Sequence, residues 1–336
     1  YWQHPRFPNK PWDSADWLID QKAMSDYPEQ STLVDLAAQR LAGKPYTVTE
    51  YNHPAPLDSQ AECVPMIASF AAAQDWDGVW LYTYSHSNNW NRDFLNSFFD
   101  IDTNPAKWAF VPAGGFIFRT DAFCNSYLSE AFALADQPLL QTLSEFHFMH
   151  GSNLKASLNK SFAEYLNLVL SRSLQAQQQT QQTAAKCPPS VWTSWNKGFY
   201  LVDSMKFCVA AGHAEHFKDA VIRGMQNRPD KTAGSIQIAA PQFAAIAIVS
   251  MDKYFLHDSN KILITACGRC ENVDMKFSDD RRTVGTNWGK GPVQIEPVEG
   301  TIDLSGFVKE MEKVRVFALN PDGTKTLILE NESPMR

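Results

Sequence analysis

The stretch "GKPYTVTEYNHPAP", residues 43 to 56, decides how the chain is read. Its first half alternates, with Tyr46, Val48 and Glu50 on one side of an extended strand and Thr47, Thr49 and Tyr51 on the other. β-Branched and aromatic residues favour that conformation. The run ends on a carboxylate, and Tyr51, Asn52 and His53 follow at once. A glutamate at the mouth of a strand, beside groups that can hydrogen-bond it, is a form in which sugar-cleaving enzymes present a nucleophile. The bland alternative is a rim carboxylate with a structural role.

Outward from this strand the pattern repeats. Upstream, "STLVDLAAQRLAG" at 31 to 43 puts Leu33, Leu36, Ala37 and Leu41 on one helical face and closes on Gly43. Downstream, Ser59 and Glu62 form a capping-box pattern before "MIASFAAAQ", with Pro65 expected near the helix start. The "DWDG" at 75 to 78 is a turn, and "VWLYTYS" from Val79 is a second strand. Helix, strand, helix, strand at this cadence predicts parallel βα units. A further helix is opened by Asn104 and Pro105, and there the pattern ends. A complete (β/α) barrel takes about 250 residues, so the chain is expected to begin in the middle of a domain.

Residues 125 to 185 are helix-prone, and a glutamine-rich tract, "QAQQQTQQT" at 175 to 183, reads as a connector. From Val191 onward short strands alternate with turns: "KGFYLVD", "SIQIAA", "FAAIAIVSM", "KILITA", "VQIE", "GTIDL" and "VRVFAL". The last is followed by "NPDGTKTLIL", a hairpin with Pro321, Asp322 and Gly323 in its turn. That spacing predicts an antiparallel β-sandwich.

Composition narrows the function classes. The 336 residues are 44 % hydrophobic and 20 % charged, an ordinary globular mix. A net charge of -7 and a pI near 5.6 argue against nucleic acid as a partner, because tracking phosphates takes clustered Lys and Arg. The longest apolar run, "FAAIAIVSM" at 243 to 251, is strand-length, so no membrane span is expected. The first residues show no signal peptide, which is absent or already removed; localisation stays open, with a secreted or periplasmic place favoured over the cytoplasm. Six cysteines are scattered, and Cys267 and Cys270 alone have metal-like or redox-like spacing. They are expected to be core thiols.

Other motifs are weaker. "HFMH" at 147 to 150 and "HAEH" at 213 to 216 space histidines as a helix-borne metal pair would, but no third ligand accompanies them, so no metal is expected. No G-x-S-x-G nucleophile elbow occurs, and "PAGG" at 112 to 115 lacks the phosphate-loop fingerprint.

In parallel barrels the reacting groups sit at the carboxyl ends of strands, where Glu50 is expected. The second strand adds Trp80, Tyr82, Tyr84 and His86. Sugars suit such a surface, because their C–H faces stack on rings while their hydroxyls need polar partners. At these residues the sequence resembles the clan of retaining glycoside hydrolases built on TIM barrels, nearest its β-galactosidase-like bacterial members. "TVTEYNHP" and "WDGVWLYTYSH" look like the clan's seventh and eighth strands, and "YWQHPRFPNKPWD" like the loop after the sixth. "KILITACGRCENVDMKF" and "WGKGPVQIEPVEGTIDL" resemble the β-sandwich that follows the barrel.

The resemblance implies that Glu50 is the nucleophile and that Tyr51, Asn52, His53, Trp80, Tyr82, Tyr84 and His86 contact a carbohydrate, with β-galactosides as the first guess and no cofactor. It implies an α/β plus all-β architecture: the C-terminal portion of a (β/α)8 barrel over residues 1 to 123, a helical segment and connector over 124 to 189, and a β-sandwich over 190 to 336. A retaining mechanism needs a second carboxyl about 5 to 5.5 Å from the first. In the clan that acid/base glutamate ends the fourth strand, and no residue of this chain matches it. Asp58 and Glu62 are better explained by helix capping, and Asp75 and Asp77 by the turn. The alternative is a non-catalytic carbohydrate-binding or assembly module, whose open strand edge would pair with the missing N-terminal half of the barrel or with a second copy.

Overall fold

Helix α1 (Thr32–Ala37), strand β1 (Thr47–Tyr51), helix α2 (Cys63–Ala73) and strand β2 (Gly78–Leu81) follow in order in a computed structural model. It describes residues 1–37, 45–74, 76–120, 191–196, 198–218, 221–222, 234–252, 254–304 and 314–331. The two strands pair in parallel, Thr47 opposite Gly78 and Val48 opposite Val79, so the expected strand–helix–strand unit is present. Among the described residues β1 and β2 form a two-stranded sheet with no third strand. The helix-prone stretch at 125 to 185, the glutamine-rich tract, "HFMH", Leu41, the Gly43 stop and Asp75 lie outside the described residues.

Helix α2 buries Cys63, Val64, Met66, Ile67, Ala68 and Ala71, so it is apolar nearly all round. Pro65 falls in its first turn, where a backbone N–H has no helical partner. The capping box does not form as expected. Glu62 Oε1 does accept from Ser59 Oγ at 3.1 Å, but the carboxylate also takes the backbone N–H groups of Met24 (2.5 Å) and Ser25 (3.2 Å), fastening a distant loop. Asp58 likewise receives Arg281, at 2.7 and 3.0 Å, rather than capping a helix. Asp77 accepts from Tyr46 N at 2.7 Å, a bond to the chain entering the neighbouring strand rather than one within its own turn.

Asn104 caps the short helix α3 (Pro105–Trp108), and "PAGG" lies inside helix α4 (Val111–Phe118). A Cβ on Gly114 would stand 2.9 Å from Val64 Cγ1, so the missing side chain lets α4 lie close on α2.

The remaining described chain is sheet-rich: β3 (Val191–Asn196), β4 (Phe199–Ser204), β5 (Phe207–His213), helix α5 (Ala214–Phe217), β6 (Val221–Ile222), β7 (Gly234–Ala240), β8 (Phe243–Ser250), β9 (Ile262–Cys267), β10 (Cys270–Val273), β11 (Lys290–Ile295), β12 (Glu299–Asp303), β13 (Val314–Leu319) and β14 (Lys325–Asn331). All pairings are antiparallel, in sheets ordered β3-β4-β5-β8-β9 and β12-β7-β6, with β10-β11 and the hairpin β13-β14 apart. Gly323, at φ +81°, closes that hairpin's turn by donating to Asn320 O.

The five-stranded sheet is covered on both faces. Tyr200, Val202, Phe207, Val209, Ala211, Ala245, Ala247 and Val249 share a core with α2 and α4. The alternate residues Phe199, Leu201, Cys208, Ala210, Ile246 and Ile248 pack with Phe217 and Ile236. Burial on both sides explains why "FAAIAIVSM" carries no polar alternation. Cys267 ends β9 and Cys270 starts β10, both buried and free, so "KILITACGRC" is not one extended strand.

Candidate functional site

Glu50 faces water because β1 bulges. The β1–β2 register shifts between Val48 and Tyr51, both of which are buried, while Thr49 and Glu50 are both exposed. Strict alternation would have set Glu50 beside buried Val48. The irregularity corrects that expectation, sending two successive side chains to the open side and returning Tyr51 to the core.

On the open side Tyr1 Oη donates to Glu50 Oε2 at 2.7 Å. Burial, with Glu50 adding to it, pushes the Tyr1 phenol above its usual range, so it stays a donor. The Tyr1 ring lies 4.7 Å from Phe99 and 6.2 Å, edge-on, from Tyr82. Exposed rings follow along and after β2: Tyr82, which meets Tyr1, then Tyr84 with Trp90 and Trp108 beside it, while the exposed Trp80 ring lies back over Gly78.

His86 is fixed rather than free. Its Nδ1 meets Asp100 Oδ1 at 2.5 Å and its Nε2 meets the Tyr82 hydroxyl at 3.1 Å. Asp100, buried, also receives Arg92 at 2.9 Å, and Arg92 holds Asp102 at 2.9 Å. Burial pushes the Asp100 carboxyl up, but hydrogen bonds from His86, Arg92 and Ser97 outweigh it and hold the group below its usual range. An ionised Asp100 accepts, so the ring proton sits on Nδ1 and Nε2 is left for Tyr82. Tyr1, Arg92, Asp100 and Asp102 were not singled out in the sequence. Their link to Glu50 and His86 is made by loops and carries no periodic signal.

Tyr51, Asn52 and His53 are brought to the strand end but not to its open face, since all three are fully buried. Their expected sugar contacts are therefore corrected to supporting ones. Tyr51 Oη and His53 Nε2 lie 3.0 Å apart, and Asn52 Nδ2 donates to the carbonyls of Tyr82 (2.5 Å) and Phe99 (2.7 Å). Behind them Lys107 Nζ donates to His53 O at 2.5 Å. Burial draws Lys107 down to about 8, lowers His53 and pushes Cys63 up to about 11.

The face offers exposed rings and an anionic oxygen, groups whose chemistry suits a polyhydroxylated ligand. The described residues contain no group of three or more potential metal ligands. His213, from "HAEH", ends β5 and meets Asp26 at 3.0 Å. No described helix is long and apolar enough to cross a membrane. No family model matches the chain, nor does any curated protein or solved structure.

Proposed function

We propose that the chain is part of a retaining glycoside hydrolase acting on β-linked sugars, with β-galactosides first, and that β1–α2–β2 belongs to the end of a (β/α)8 barrel. The observation that carries this reading is Glu50: a carboxylate at the carboxyl end of a parallel strand, turned outward by a bulge and holding the hydroxyl of Tyr1 at 2.7 Å, with the exposed Tyr82 ring edge-on to that tyrosine. Glu50 would attack the anomeric carbon as the bond to the leaving oxygen breaks and that oxygen takes a proton from a second carboxyl group. Water would then release the sugar from the glycosyl ester. Trp80, Tyr82, Tyr84 and His86 would line the sugar, while Tyr51, Asn52 and His53 hold the strand end.

A non-catalytic carbohydrate-binding or assembly module is the second reading. It is favoured by Asp100, the acid linked to this face through His86, being buried and tied to Arg92 rather than open to a leaving group. Incubation with a panel of activated 2-fluoro glycosides, followed by intact mass and peptide mapping, separates the two. An adduct on Glu50 supports the hydrolase and names its sugar. Folded protein that binds sugars without any adduct supports the module.

A further inference from the structure

Trp12 occupies a backbone position that suits glycine. Asp13 N–H donates to Lys10 O at 3.2 Å, closing a turn with Pro11 second and Trp12 third. Trp12 has φ +59°, the sign a type II turn demands at its third residue, where glycine or asparagine is usual because a Cβ strains the backbone. Burial does not offset the strain, since Trp12 is 62 % exposed. A strained, solvated tryptophan is a poor choice for stability, and such outliers gather at ligand sites.

Its surroundings point to which ligand. The indole meets His4 at 5.3 Å and Phe7 at 5.1 Å, and His4 meets Tyr1 at 5.8 Å. Tyr1 is the residue that donates to Glu50. A row of rings thus runs from the carboxylate through Tyr1 and His4 to Trp12, each ring in contact with the next. The C–H faces of a sugar stack on an indole, which combines a broad apolar face with few rotatable bonds.

We propose that Trp12 is a sugar-stacking residue and that the ligand is a β-linked oligosaccharide, whose next unit lies on Trp12 when one unit sits at Glu50. The inference rests on the glycosidase reading of the Glu50 face and adds the length of the ligand to it.

The test is calorimetric titration of the full chain, Trp12→Gly and Trp12→Phe with galactose and β-1,4-galacto-oligosaccharides of two to four units, beside thermal melts. Wild-type affinity should rise with chain length. Trp12→Gly should lose at least tenfold on the trisaccharide with its Tm unchanged or raised, because glycine accepts the positive φ; Trp12→Phe should retain part of the affinity. Equal affinities in wild type and Trp12→Gly, affinity independent of length, or no oligosaccharide binding by the wild type would each overturn the inference. If Tm and affinity fall together in Trp12→Gly, Trp12→Phe decides: affinity kept by the smaller ring supports stacking, and affinity still lost counts against it. Labelling of Glu50 by 2-fluoro glycosides is scored separately on the wild type. Trp12-dependent binding without labelling sinks the hydrolase and leaves Trp12 as a binding residue, whereas labelling with length-independent binding sinks the Trp12 inference alone.

Discussion

Tyr1 and Glu50 make a charge-assisted hydrogen bond, a type of contact that contributes roughly 1.5–3 kcal/mol. If that bond orients the attacking carboxylate, Tyr1→Phe should slow formation of the 2-fluoro glycosyl adduct by about 10- to 100-fold, at 1.4 kcal/mol per factor of ten. An unchanged rate, followed by intact mass, would remove Tyr1 from the site. Glu50→Gln should give no adduct at all, and an adduct that persists would place the nucleophile elsewhere. At this scale the sequence was half legible. Glu50 could be picked out because it ends a recognisable strand, but the sugar contacts expected of Tyr51, Asn52 and His53 fail because all three are buried, and burial at and beyond a strand end leaves no mark in a local pattern.

The unit β1–α2–β2 is tied to the rest by Glu62, whose carboxyl burial lifts from 4.5 to about 7 against the hydrogen bonds of Met24, Ser25 and Ser59. Unfolded, the group titrates near 4.5, so between 4.5 and 7 the native state holds more protons than the unfolded one and stability falls as pH rises. The shift corresponds to about 3 kcal/mol at 1.36 kcal/mol per pH unit. Urea unfolding of wild type and Glu62→Gln below and above that window should show the decline in the wild type and a flatter profile in the variant. Equal slopes would mean that Glu62 does not titrate there. Helix against helix, Gly114→Leu should cost about 1–3 kcal/mol by forcing α4 away from Val64, read as a lower urea midpoint at unchanged m-value. A midpoint that holds would show the contact to be yielding. Ser59 and Glu62 have the sequence spacing of a capping box, yet the box does not form and the tertiary fold uses the carboxylate for a loop 38 residues away in sequence.

In the whole molecule one core joins α2 and α4 to the five-stranded sheet through Phe207, Val209, Ala245 and Ala247. Unfolding should therefore be a single transition, with far-UV circular dichroism and tryptophan fluorescence coinciding. Phe207→Ala should lower both together, by roughly 3–5 kcal/mol. Two separated transitions would show that the strand–helix–strand unit and the sheets fold independently. Of the strands, those rich in Val, Ile and Phe were legible, whereas β5, "FCVAAGH", was not: Ala and Gly carry little strand preference, and β5 exists because β4 and β8 pair with it on either side.

The sequence by itself determined the parallel β1–α2–β2 unit, the strand-rich character beyond residue 190 and the placing of Glu50 at a strand end, because periodicity and turn residues act over a few neighbours. Only the tertiary structure decided which side chains reach the open face. The Tyr1–Glu50 bond, the His86–Asp100–Arg92 chain and the burial of Tyr51, Asn52 and His53 join residues that local pattern cannot relate, and contacts between loops are set by packing alone.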